Sequence, residues 1–321
     1  MQLTLGNGLG EFATSTVIIP PPLPTIGAIL VADFNSDGKA DIIAWGATTV
    51  FVVQGDGHGG GVPVANSRLS LSSKKDTLRG ISVSDVNGDG ILDLIVCFFE
   101  RADVYLGDGK GGFRLSSSSP VSQECEISGF AAGDYNGDRK RDLAVSNTKC
   151  SATDVLLSNG KNFTVTGISQ LGTLPSALVA GDFNGDGKDD LAVTGPVTYP
   201  ATASLFLGGA FTLSFASTVT PPATPRSTVT RVSIASVGDF NGDQNLDLLT
   251  GYHDFFTVYW GNGKGRFSAA SSFYPAPAGA ASFEISNAIV ADFNQDQRPD
   301  VILSRTLNGT ASILLIPNVG Q

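Results

Sequence analysis

A nine-residue segment rich in side-chain oxygen occurs six times in this chain and limits what the chain can fold into. The copies start at Asp33, Asp85, Asp134, Asp182, Asp239 and Asp292. Each has Asp at its first, fifth and ninth positions and Asn at its third. Their mean spacing is about 52 residues, a period that marks one array of equal units. An apolar run leads into the segment, as at Ile29-Leu30-Val31-Ala32, and another follows it, as at Leu191-Ala192-Val193. The segment therefore reads as a loop between two strands, repeated along a single domain that spans 1–321.

Each unit continues with a second pair of strands. Val104-Tyr105-Leu106 runs into Gly107-Asp108-Gly109 and then Phe113; Val258-Tyr259-Trp260 runs into Gly261-Asn262-Gly263 and then Phe267. At the start of the chain, Leu3-Thr4-Leu5 runs into Gly6-Asn7-Gly8 and then Phe12. Asn-Gly and Asp-Gly between strands signal type I′ hairpins, with positive φ at both central residues. A phosphate loop at Gly107-Asp108-Gly109-Lys110-Gly111-Gly112 would need a Lys-Ser/Thr ending and a following helix, and has neither.

Four strands per unit, with no 3.6-residue apolar period, describe the blade of an all-β propeller. Six four-stranded blades are expected, with seven as the alternative. After Asp300 the chain offers Val301-Ile302-Leu303 and Ser312-Ile313-Leu314-Leu315 as second and third strands. A fourth strand is available from Phe12 to Ile18, which would close the ring and remove an open sheet edge. Leu3-Thr4-Leu5 is then surplus.

The loop chemistry follows from the spacing. Side-chain oxygens at positions one, three and five converge as the backbone curls, position seven offers its carbonyl, and Asp at nine completes the shell. Such hard oxygen donors suit Ca²⁺, whereas Zn²⁺ would call for His or Cys. The candidate sets are Asp33, Asn35, Asp37, Lys39 and Asp41; Asp85, Asn87, Asp89, Ile91 and Asp93; and Asp134, Asn136, Asp138, Lys140 and Asp142. The remaining three are Asp182, Asn184, Asp186, Lys188 and Asp190; Asp239, Asn241, Asp243, Asn245 and Asp247; and Asp292, Asn294, Asp296, Arg298 and Asp300. Up to six Ca²⁺ would turn the formal net charge of −10 slightly positive. The competing reading is an Asx-rich turn without metal. Glycine at position six permits a left-handed turn; it is present at Gly38, Gly90 and Gly187 and replaced by Arg139, Gln244 and Gln297 elsewhere, at a cost on the order of 1 kcal/mol if φ must be positive.

Asp182-Phe183-Asn184-Gly185-Asp186-Gly187-Lys188-Asp189-Asp190 followed by Leu191-Ala192-Val193 resembles the FG-GAP/VCBS repeats, related to the propeller of integrin α-subunits. The resemblance covers nearly the whole chain. It implies calcium in the loop between the first two strands of each blade. It further implies binding or adhesion in a secreted or cell-surface setting.

Recognition is then expected on the face opposite the loops, among Trp45, Glu100, Arg101, Tyr199, Tyr252, His253, Asp254 and Arg305, with a protein or glycan as the ligand. A polysaccharide-active enzyme and a scaffold module within a larger protein are the competing classes. No catalytic residue is assigned. The chain has no basic stripe for nucleic acid and no apolar run of membrane-spanning length, and it is expected as a monomer. Cys97 reads as a buried thiol. Cys125 and Cys150 flank the third loop nearly symmetrically, so either a disulfide in an oxidising compartment or two free thiols fits.

Overall fold

The computed structural model describes residues 2–3, 16–17, 28–46, 49–58, 60–64, 69–70, 78–121, 127–147, 152–170, 177–195, 202–209, 214–219, 234–251, 255–268, 271–273, 283–307 and 310–318. Every regular element among them is a strand, and the strands form six antiparallel sheets in a ring, a six-bladed β-propeller.

The second blade gives the plan. Its inner strand Leu78–Ser84 passes through an Asp loop to Asp93–Phe98, then to Arg101–Gly107, then to the outer strand Phe113–Pro120. The third blade (Ile127–Gly133 to Phe163–Gln170), the fourth (Ala177–Gly181 to Ser214–Val219) and the fifth (Ile234–Gly238 to Ser271–Phe273) repeat it. The first blade comprises Ala28–Ala32, Asp41–Trp45 and Thr49–Gly55, with Gly61–Pro63 and Leu69–Ser70 both pairing with that third strand. The sixth has three described strands, Phe283–Ala291, Asp300–Leu307 and Thr310–Ile316.

Blades pack face to face, so a second strand meets a neighbour on each side. This is why Asp93–Phe98 and Asp142–Asn147 are buried at every residue and read as continuous apolar runs rather than alternating ones. Each pair of consecutive blades shares one apolar core. Phe34, Ile43 and Val50 meet Ile81, Leu94 and Val96; Ile95, Cys97 and Val104 meet Leu143, Val145 and Phe163; the series continues through the fifth and sixth blades. Cys97 is the buried free thiol expected. No sixth cluster joins the last blade to the first among the described residues. On those two blades Ile29, Val31, Ile289 and Ile313 are exposed, Ile313 by 70%.

Two expectations are corrected. The described part of the Phe12–Ile18 segment, Thr16–Val17, does not pair with the last blade; it pairs with Gln2–Leu3 as a separate ribbon. Its register, Leu3 opposite Thr16, matches Val104 opposite Ser117 and Val155 opposite Gly167 when counted from the turn. In blades two and three that register lies just beyond a bulge at Ser116 and at Thr166. Among the described residues the ribbon therefore has the register of the third and fourth strands of a blade. A partner a dozen residues away costs less closure entropy than one about 300 residues away, so the surplus strand keeps its neighbour.

The second correction concerns the turns. Gly107 pairs with Phe113, so the connection is a five-residue loop rather than a two-residue type I′ turn. Asp108 Oδ1 accepts the N–H groups of Lys110 and Gly112, both at 2.8 Å, and positive φ falls on Gly109 and Gly111. Asn262 does the same for Lys264 and Arg266. The side-chain acceptor replaces the tight backbone turn.

Gly107 has a separate reason to be glycine. A Cβ there would stand 2.3 Å from the carbonyl oxygen of Leu92. Gly107→Ala is expected to cost about 1–3 kcal/mol, the range for forced overpacking. A urea unfolding curve with an unchanged midpoint would count against this account of the strand junction.

Candidate metal centre and ligand cleft

All six Asp loops share one hydrogen-bond plan. Asp33 Oδ1 accepts the N–H of Asp37 at 3.1 Å, and its Oδ2 accepts the N–H of Gly38 at 2.8 Å. Asp85, Asp134, Asp182, Asp239 and Asp292 repeat both bonds. The Asn at position three accepts from the N–H of position five, and the Asp at five accepts from the N–H of position seven. Position six has φ between 65° and 82° in every loop, including at Arg139, Gln244 and Gln297. Position four is also left-handed throughout, at Ser36, Gly88, Gly137, Gly185, Gly242 and Gln295. Sequence reasoning passed over it, although glycine at four of the six copies was a visible signal.

The Asp at position nine does more than complete a shell. Asp93 Oδ2 accepts the N–H of Val86 at 3.0 Å and Oδ1 that of Gly107 at 2.9 Å, which ties the loop's second residue to the end of the third strand. Asp41, Asp142, Asp190, Asp247 and Asp300 make the same pair of bonds, and all six are fully buried. Burial pushes the Asp142 carboxyl up to about 7, the two backbone N–H groups oppose this, and the negative charges of Asp138 and Asp134 push the same way as burial. Asp190 and Asp247 rise to about 6 for the same reasons, burial first.

The donor set fits a hard cation. It consists of carboxylate, amide and carbonyl oxygens. Each carboxylate oxygen that accepts one N–H keeps a further acceptor site, and at Asp93, Asp142, Asp190 and Asp247 the like charges of positions one and five add to burial in raising the carboxyl. Among the described residues no group of three or more His, Cys, Asp or Glu side chains stands ready-made around a point. A cation there would need the Asn oxygen and the position-seven carbonyl as well as carboxylates.

Of the expected opposite-face residues, the side chains of Trp45, Glu100 and Arg101 are described. Trp45 packs on the core shared by the first two blades. The Arg101 guanidinium lies 4.1 Å over the Phe98 ring and its Nε donates to Asp103 at 2.9 Å, so it serves its own blade. Glu100 is exposed. Arg305 lies in the second strand of blade six, and its side chain is outside the described residues. Tyr199, Tyr252, His253, Asp254, Cys125 and Cys150 also lie outside them.

A cleft of about 690 Å³ opens elsewhere, between blades five and six at the loop end. Phe240, Phe256, Trp260 and Phe273 wall it, Val301 and Ile316 close its far side, and Asn241 and Arg298 stand among its lining residues. Its origin is periodic. In blade two the outer-strand Phe113 packs edge-on against Phe34 of the preceding loop, with ring centres 6.0 Å apart; in blade five Phe267 meets Phe183 at 5.4 Å. Beside Phe240 no described outer strand supplies the corresponding ring. Trp260, where other blades have Leu106 or Leu207, was the sequence signal for this cleft.

A family model for the FG-GAP-like repeat matches residues 33–96, 85–145, 134–193, 182–250 and 239–303, each match starting on the first Asp of a loop. Among solved structures, a lectin of Agrocybe aegerita, described for specific recognition of non-reducing terminal N-acetylglucosamine, superposes with a TM-score of 0.63 at 15% identity. The match covers 98% of this chain and 88% of that one. No curated protein matches.

Two measurements bear on the loops. Arg139→Gly, Gln244→Gly and Gln297→Gly each relieve a left-handed non-glycine, and each is expected to raise unfolding free energy by about 0.5–1 kcal/mol; a loss at all three would overturn the strain argument. In EDTA, folded Asp142, Asp190 and Asp247 keep protons that the unfolded chain has lost between about pH 4 and 7. The native state binds more protons there, so metal-free stability falls as pH rises. The melting midpoint is expected to be higher at pH 5 than at pH 8, and excess Ca²⁺ is expected to abolish that difference.

Proposed function

The chain belongs to the FG-GAP-like repeat family, and on that premise we propose that it is a calcium-stabilised, secreted or cell-surface propeller that binds carbohydrate. The observation that carries the ligand class is the cleft between blades five and six. It has a volume of about 690 Å³ and is lined by four aromatic side chains together with an amide and a guanidinium. The apolar face of a pyranose stacks on such rings while its hydroxyls take the polar groups. The solved lectin with the same overall fold recognises a terminal sugar, which supports the reading. On this reading recognition lies at the loop end of one blade junction, and binding without turnover is the expected activity.

Calcium is proposed for the loops, held by positions one, three, five and nine and the carbonyl of seven. It would neutralise the like charges around each buried ninth carboxylate. At tenfold excess over its dissociation constant each ion adds about 1.4 kcal/mol, so six would contribute on the scale of a domain's net stability. EDTA is expected to lower the melting midpoint sharply, and an unchanged midpoint would sink the calcium reading.

For the ligand, a glycan array followed by titration of tryptophan fluorescence tests the cleft. Specific sugar binding that Trp260→Ala weakens tenfold or more, a loss of about 1.4 kcal/mol or greater, is expected. Sugar binding indifferent to Trp260→Ala would move the site elsewhere. Fluorescence that answers to no sugar but shifts on Phe12→Ala would give the cleft to the chain's own N-terminal segment and overturn the proposal.

A further inference from the structure

We propose that the calcium sites of blades three and four are coupled, and that Asp189 and Arg141 are the positioning residues that couple them. The inference rests on the calcium reading above. Asp134 supplies the first ligand of loop three, and both of its backbone groups are committed to loop four. Its N–H donates to Asp189 Oδ2 at 2.8 Å, and its carbonyl accepts the N–H of Asp189 at 2.9 Å. Asp189 directly precedes Asp190, the ninth-position ligand of loop four. Arg141 directly precedes Asp142, the ninth-position ligand of loop three, and its guanidinium donates to the same Asp189 carboxylate.

The eighth positions of the two loops thus hold an ion pair and two hydrogen bonds, each one residue from a ligand or on the ligand itself. The other loops have Ala40, Leu92, Leu246 and Pro299 at that position, and none of these has a side chain that can make the link. Gly208, just past the third strand of blade four, sits against both loops: a Cβ there would stand 2.6 Å from the Asp189 carbonyl oxygen and 2.7 Å from that of Tyr135. An ion that fixes Asp190 therefore orders Asp189, and through it Asp134, before the second ion arrives. The coupling is reciprocal, since each site changes the other's affinity by the same factor.

Loop three carries its own reporter. Tyr135 follows Asp134, whereas the other loops have Phe or Val there. Terbium, which replaces calcium, emits when a neighbouring tyrosine is excited, and the emission lost in Tyr135→Phe belongs to loop three. In the full chain, disabling loop four with Asp182→Asn and Asp186→Asn is expected to weaken terbium binding at loop three about fivefold or more. Disabling the distant loop six with Asp292→Asn and Asp296→Asn should leave it within about twofold.

In Asp189→Ala, or in Arg141→Ala should the first variant fold poorly, the loss of loop four should change loop three by less than about twofold. Loop-three affinity indifferent to loop four in the unmodified chain overturns the proposal. A full effect that persists without Asp189 or Arg141 overturns their assignment. Absence of any terbium emission overturns the calcium reading together with it, which separates the two failures.

Discussion

The fold depends on one buried carboxylate used six times. The Asp at the ninth loop position has no exposure to water, and its two oxygens accept one N–H from the loop and one from the end of the third strand. Burying a carboxylate without partners would cost several kcal/mol; two charge-assisted bonds to backbone donors offset that cost. Only a short side chain with two equivalent acceptors can do this. Asn would present an N–H₂ to one of the two donors, and Glu would overreach. The first three strands of a blade are thereby fixed to one another before any neighbouring blade is added.

Blade stacking then supplies the apolar burial. Each sheet lends its faces to shared cores such as that of Leu94 with Ile43, or of Leu143 with Ile95. The outer strand contributes a ring that seals the notch beside the preceding loop, as Phe113 does on Phe34. The cleft beside Phe240 lies where no ring among the described residues plays that part.

Much of this was legible in the sequence because it is local. Asp, Asn and Asp at fixed spacing, flanked by apolar runs, specify loop, strand order and blade within a few residues of each other. The left-handed sixth position followed from the same spacing. What escaped needed distances between residues far apart in the chain. Gly107 is glycine because Leu92 approaches it, and nothing near Gly107 in sequence says so. Asp108 looked like half of a type I′ turn because its dipeptide gives no sign that its side chain accepts two backbone bonds. Trp260 was visible but anonymous until Phe240 and Ile316 stood across from it.

The loops share a plan yet carry unequal strain. Loops two and four have glycine at both left-handed positions; loop one places Ser36 there, loop three Arg139, loop five Gln244, and loop six both Gln295 and Gln297. Each non-glycine costs about 1–2 kcal/mol in that region, so the metal-free loops are unequally ready to hold their carboxylates together. The bond network between Asp134 and Asp189 therefore joins a strained loop to a relaxed one. Loop six, with two strained residues and no described outer strand beside it, borders the cleft through Arg298. The most strained of the six loops thus lies at the junction of blades five and six, beside the cleft.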